Sequence, residues 1–261
     1  MSSKHQSDAS TILFCVWCIL PFHLPGIQVV VFLIFSSLLF NFLSIHCCSL
    51  LSSHRVHKTI LVPSTFHARY DAVSRRYLYR LAVTPEPTSG GRAALEKFMP
   101  VAEIGKLYLV RPPFDAERLE PVCRLLEGIH DFASFANVQR KDDTPRETLR
   151  EIKSVTVTPG RPLLDPSQDP LYSHLQFWDV NVHGKSFLYR QVRRTVGVLV
   201  GVAQGRFNLQ DVQHMLDHPS QRNWSPKLQV APPDGLFLLD VEYPLHVFAE
   251  EGEDSGQPPQ E

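Results

Sequence analysis

The stretch Ser186–Gly201, SFLYRQVRRTVGVLVG, joins a helix-forming apolar pattern to three arginines. Val192, Val196, Leu199, Val200 and, just beyond, Ala203 recur at steps of three and four residues, so a helix lines them up as one stripe facing a core. Arg193 falls at the edge of that stripe beside Val196 and Val200. Arg190 and Arg194 sit further round, with Gly197 and Gly201, whose missing side chains admit another backbone or a ligand at close range. Two readings fit. Either the arginines of a core helix snorkel to water, or Arg193 meets a buried anionic partner while its neighbours face a polyanion.

Outward from this helix, composition separates the chain into regions. Its 261 residues suffice for one large domain or two small ones. The net charge is -1, but the last twelve residues, EEGEDSGQPPQE, hold five acids and no base, which leaves +4 on the remainder and is consistent with an anionic partner. That tail, taken as 249–261, has the composition of a disordered segment. At the other end no Asp, Glu, Lys or Arg occurs between Asp8 and Arg55. Within it, IQVVVFLIFSSLLFNFLSI (27–45) is just long enough to cross a bilayer as a helix, so a membrane contact through 27–45 is one expectation. An apolar signal region behind Lys4 is the other. Residues 1–61 are therefore set apart as an atypical N-terminal segment.

Cys15, Cys18, Cys47 and Cys48 lie in that segment, and Cys123 stands alone downstream. The Cys15/Cys18 spacing is that of a redox or zinc pair, yet no second pair with metal-site spacing follows, so no metal is expected. A lone downstream cysteine suits a reducing compartment.

From about Val62 strands and helices alternate. Ser74–Val83, SRRYLYRLAV, sets Arg75, Tyr77, Tyr79, Leu81 and Val83 against Arg76, Leu78 and Arg80, the pattern of a strand with two neighbouring tyrosines on one face. Leu119, Val122, Cys123 and Leu126 predict a short helix ended by Gly128, with Pro121 tolerated near its first turn. GIHDFASFANVQRKDDTPRETLREIKSVTV (128–157) reads as a long polar loop entering a strand around Ile152–Val157, and loops of such length usually have a job. His174–His183 is a strand with Gln176, Trp178, Val180 and Val182 on one face. Asn208 caps a helix through LQDVQHMLD, with Asp211 third, and GLFLLDVEY (235–243) is a closing strand. The order predicts an α+β layer structure without repeats.

No glycine-rich phosphate loop, H-E-x-x-H or G-x-S-x-G occurs. His130, Asp131 and Ser134 have triad residue types, but their closeness in sequence favours a local hydrogen-bond cluster. What remains is a double-tyrosine strand flanked by arginines, an arginine on an apolar helix and a G-L-F-L strand. In that order FHARYDAVSRRYLY, GIHDFASF, FLYRQVRRTVG and APPDGLFLLDVEY resemble the motifs of TruA-type tRNA pseudouridine synthases, over about 180 residues from 62 to 244. FLYRQVRR is most like the eukaryotic tRNA pseudouridine synthase-like 1 branch.

The resemblance implies an α+β pseudouridine synthase C-terminal domain over 62–248, with a mainly antiparallel sheet and flanking helices. It implies isomerisation of uridine to pseudouridine in tRNA, no cofactor, a possible homodimer and a mitochondrial or other intracellular compartment. By position Tyr77 packs on the base, Arg193 pairs with the catalytic carboxylate and Leu236 walls the pocket. Arg69, Arg75, Arg76, Arg190 and Arg194 are the expected RNA contacts. The family's nucleophile stands upstream of FHAR in an R-T-D-A-G-V-H-like motif, and nothing like it occurs in residues 1–65. Asp71 lies in a matched motif but away from the nucleophile's position. The alternative is a catalytically inactive RNA-binding or membrane-tethered protein.

Overall fold

A computed structural model of the protein describes residues 11–18, 29–34, 54–62, 65–85, 95–137 and 147–244. They divide between two compact units, one holding the described residues up to Val73 together with those from Tyr243 onward, the other those within Ser74–Glu242. In the first, strands β1 (Thr11–Cys18), β2 (Val29–Ile34) and β3 (His54–Val62) form an antiparallel sheet in the order β2-β1-β3. The run VVVFLI, inside the stretch expected as a spanning helix, is thus a strand, as its β-branched and aromatic residues favour. The remainder of 27–45 lies outside the described residues, as does the acidic tail. No described helix is long and apolar enough to cross a membrane. Further along, Phe66 is buried edge-on to Tyr243, with ring centroids 5.2 Å apart, and the Tyr243 hydroxyl donates to the Ala68 carbonyl at 2.9 Å.

The second unit is built on β4, Ser74–Val83, with the bounds its alternation predicts. The remaining strands are β5 (Tyr108–Val110), β6 (Gly128–Asp131), β7 (Leu149–Pro159), β8 (Gln176–Gly184) and β9 (Leu236–Glu242). They order as β5-β4-β8-β7-β6, with β9 also on β4, and every pairing is antiparallel except β4 with β5. One edge of β4 is therefore shared. Strand β9 takes Ser74–Tyr79 and β5 takes Leu81–Val83, and between them the Arg80 N–H donates to the Gly235 carbonyl at 2.8 Å.

Three helices, α1 (Leu119–Leu126), α2 (Gln191–Ala203) and α3 (Leu209–Asp217), contribute to the larger core with the face of β4 that carries Tyr79, Leu81 and Val83. The cap of α3 is the one its sequence forecasts: Asn208 accepts from Asp211 N–H at 2.8 Å and Asp211 returns the bond at 3.0 Å. Fold class is as expected, an α+β domain with a largely antiparallel sheet and helices.

The segment expected as one long polar loop is different. Gly128–Asp131 is an edge strand paired with Leu149–Ile152, and Phe132 and Phe135 anchor the following turn with no exposed surface. Gly128 enters it at φ 102°, a conformation suited to glycine. The strand escapes a hydrophobic pattern because its side chains are exposed or half-buried rather than core-forming. Residues 138–146 of this stretch lie outside the described residues.

On the opposite face Ala82, Leu107, Leu109, Tyr172, Leu175 and Phe177 form a smaller core. Arg80 points here too. Its guanidinium donates to Glu103 at 2.6 and 3.2 Å and to the Arg161 carbonyl at 2.9 Å, while Glu103 also accepts the Leu163 N–H at 2.9 Å. Glu103 is wholly buried, so removing its carboxylate strands a charge. Glu103→Ala should lower unfolding free energy by about 3–5 kcal/mol, measured by urea titration; a loss below about 1 kcal/mol would contradict a buried pair. Burial, with Glu127 and Glu120 adding to it, pushes the Cys123 thiol up to about 12. Peptide mapping after alkylation at pH 8 should find Cys123 modified only once the chain is unfolded.

Candidate functional site

The first turn of α2 is set by Arg190, whose backbone is left-handed at φ 66°. Gln191 closes that turn by accepting the Leu188 N–H at 2.8 Å through its side chain. One turn in, the Arg193 Nε donates to the Ala231 carbonyl at 2.6 Å, and the Ala231 N–H donates back to the Arg193 carbonyl at 3.2 Å. This reciprocal pair fastens the 228–235 segment along the helix. A Cβ on Gly197 would overlap the Gln229 carbonyl oxygen, and one on Gly201 would come within 2.6 Å of Leu228. The close approach that the two glycines suggest is thus made by this segment's backbone and by Leu228.

The segment then reaches β4. The Tyr79 hydroxyl donates to the Pro232 carbonyl at 2.6 Å, and Leu236 pairs with Tyr79 at the start of β9. A Cβ on Gly235 would collide with the Arg80 carbonyl and crowd the Tyr79 ring. Tyr77, two residues back on the same face, meets Phe187 edge-on at 5.2 Å. Tyr77, Phe187 and Leu236 are half-buried and pack against the larger core. The apolar rings, Leu236 and the Arg193 clamp are therefore carried by three segments tied to one another: β4, the start of α2 and the entry to β9.

Electrostatics follow from that enclosure. Burial raises the Tyr77 phenol, with Arg75 partly opposing, so it stays protonated at neutral pH and can donate a hydrogen bond. Burial raises Tyr79 further, Tyr108 adds to this and Arg193 opposes it. Burial also pulls Arg193 below the usual guanidinium range; Tyr79 opposes the shift, Arg190 deepens it, and Tyr189 and Asp234 oppose it.

The arginines expected at RNA divide. Arg194 is buried: its Nη1 donates to the Ser134 carbonyl at 3.0 Å and its guanidinium lies 4.7 Å from the Trp224 ring centroid. It is not a phosphate-facing side chain, because HDFASF and Trp224 cover the side of α2 that the apolar stripe leaves polar. Arg190 is exposed, with Nη1 3.3 Å from Asn137 Oδ1. Arg75 donates to the Lys185 carbonyl at 3.0 Å, bracing the β8–α2 connection, and the exposed Arg76 pairs with Glu242 at 2.7 Å. Arg69 is exposed and belongs to the other unit. Asp71 is in that unit as well, its carboxylate accepting the His67 N–H at 2.7 Å.

His130, Asp131 and Ser134 engage separately: His130 Nε2 lies 2.9 Å from the Glu127 carbonyl, Asp131 caps Ala133 N–H at 2.9 Å and Ser134 donates to the Met215 carbonyl at 2.9 Å. No triad forms. Sequence reasoning missed Phe187, Tyr189 and Asp234 as neighbours of the site. Their closeness to FLYRQVRR and to Gly235 in sequence was the available signal.

This arrangement defines a protein class, and comparison with known proteins names it. A family model described as tRNA pseudouridine synthase matches residues 122–244. The tRNA pseudouridine synthase-like 1 of Xenopus laevis is 35% identical over 196 residues, covering 72% of this chain and 59% of that protein. The tRNA pseudouridine synthase-like 1 of Homo sapiens is 36% identical over 192 residues, 72% of this chain and 58% of that protein. The tRNA pseudouridine synthase A of Caulobacter sp. (strain K31) is 32% identical over 199 residues, 74% of this chain and 67% of that protein. The chain belongs to the TruA-type tRNA pseudouridine synthase family. It spans 59% and 58% of the length of the first two of these relatives.

The close approach at Gly197 sets a stability test. Alanine improves helix propensity by about 1 kcal/mol, but here its methyl group meets a carbonyl oxygen fixed by the Arg193–Ala231 pair. Gly197→Ala should therefore lower stability by about 1–3 kcal/mol despite the gain in propensity. A melting temperature at or above that of the unchanged chain would show that the 228–231 segment yields freely.

Proposed function

We propose that this chain contributes the base-holding side of a tRNA pseudouridine synthase site, with uridine in tRNA as substrate. In that reaction the uridine N1–C1′ bond breaks, the base turns, a C5–C1′ bond forms, the C5 proton is lost and N1 takes up a proton, so the product is an isomer. The flipped base must be held throughout. Tyr77 offers a ring and a protonated phenol to the base, Leu236 an apolar wall, and Arg193 a cation for the carboxylate that attacks the nucleotide. Arg69, Arg75, Arg76 and Arg190 meet phosphates, so binding should weaken with salt.

The observation that carries this reading is the reciprocal Arg193–Ala231 hydrogen-bond pair, which ties the α2 arginine to the strand bearing Leu236. Its Nε is already occupied there, and the remaining guanidinium nitrogens are the ones offered to a carboxylate. Residues 1–65 hold no R-T-D-A-G-like motif, and Asp71 is engaged with His67 within its own turn. On this reading the 261 residues given bind tRNA but do not complete the reaction.

Release of tritium from 5-tritiated uridine in tRNA tests both halves. The chain as given should match background, because loss of a covalent nucleophile removes several orders of magnitude of rate. A chain carrying an R-T-D-A-G subdomain ahead of residue 62 should turn over, and Arg193→Ala should abolish that turnover. Turnover by the chain as given would place the nucleophile within it, at Asp71 or Asp234. Failure of the repaired chain to bind tRNA at low salt would overturn the substrate assignment.

A further inference from the structure

Tyr189 is the exception among the aromatic residues around α2. It leaves 63% of its surface exposed, whereas Phe187, two residues earlier, is half-buried against Tyr77. The position is nevertheless a fixed one. The Tyr189 carbonyl accepts the Asn137 N–H at 3.3 Å, Arg190 Nη1 reaches Asn137 Oδ1 at 3.3 Å, and Leu188 is bonded to the Gln191 side chain at 2.8 Å. The Arg190 guanidinium lies 5.2 Å from the centroid of the Tyr189 ring. It does so from a left-handed backbone, φ 66°, that a residue with a Cβ rarely adopts. A strained backbone persists where its surroundings over-determine it, and such residues cluster at functional sites.

An exposed aromatic ring held by its backbone, with a cation beside it, matches what an unpaired nucleobase requires. One ring face stacks on a base and the neighbouring guanidinium meets its phosphate. The location supports this reading, because Tyr189 lies immediately before Arg190, the N-cap of α2, and four residues ahead of Arg193 in the chain.

We propose that Tyr189, oriented by Arg190, is a stacking platform for an unpaired nucleotide adjoining the uridine that the Arg193 site holds. This deepens the tRNA reading and rests on it. The platform is indifferent to base identity, since every base has a π face, and it recognises that the nucleotide is unstacked. Asn137 sets its distance from the turn that follows β6, so the HDFASF segment acts as a positioning element for it.

The test measures binding of the full chain to an unstructured oligouridylate and to bulk tRNA at two salt concentrations. Tyr189→Phe should hold affinity within about twofold. Tyr189→Ala should lose about 5- to 150-fold with the salt dependence unchanged, because a neutral ring releases no counterions. Arg190→Gly should weaken binding and reduce the salt slope by about one. Its melting temperature should not fall, since glycine accepts a positive φ without strain. Tyr189→Ala binding as the unchanged chain does, while that chain binds with the expected salt dependence, would overturn the platform and leave the tRNA reading standing. Absence of binding by the unchanged chain would overturn both.

Discussion

The site of this protein depends on a reciprocal hydrogen-bond exchange. Arg193 and Ala231 each give and receive one hydrogen bond, and that exchange turns a coil segment into a strap across a helix. A carbonyl that accepts from a guanidinium makes a stronger bond than one accepting from a neutral donor. It also spares a partly desolvated cation the full cost of leaving water. The strap carries that order onward, because its next residues bond to Tyr79 and Arg80 before entering β9. Arg193 is thus a structural fastener through Nε.

Three cations of the Ser74–Glu242 unit show how differently one side chain is used. Arg80 is neutralised by Glu103, and the Arg161 carbonyl on the cation and the Leu163 N–H on the carboxylate complete the arrangement, so it behaves as a buried, hydrogen-bonded ion pair. Arg194 has no acid at hand among the described residues; a carbonyl and the face of Trp224 substitute, and burial pulls it below the usual guanidinium range. Arg190 remains exposed and is held by Asn137 Oδ1 and the Tyr189 ring. Each solution follows from which partner the neighbouring segment can bring.

Much of the scaffold is legible from the sequence because its signals are local. Alternation in SRRYLYRLAV gives a strand its limits, and Asn208 with Asp211 gives a helix its start. The edge strand Gly128–Asp131 is not legible, since its pairing with Leu149–Ile152 is non-local and its side chains show no apolar period. At the site the same division holds. The four motifs can be read in order along the chain, but the strap that joins VRR to APPDG needs the fold. Arg194 shows the limit most plainly: helical spacing places it off the apolar stripe, and only tertiary neighbours determine whether that side meets water or Trp224.

The contact at Gly197 is made by the carbonyl of Gln229, and the contact at Gly235 by the carbonyl of Arg80. Main-chain atoms are the same whatever residue supplies them. The constraint therefore falls on one partner alone: the two glycines cannot drift, while the side chain at position 229 can change without disturbing the junction. Under mutation, the strap's sequence is free to diverge at such positions and its path is not. A lineage could retune the surface of this segment while inheriting its placement unchanged.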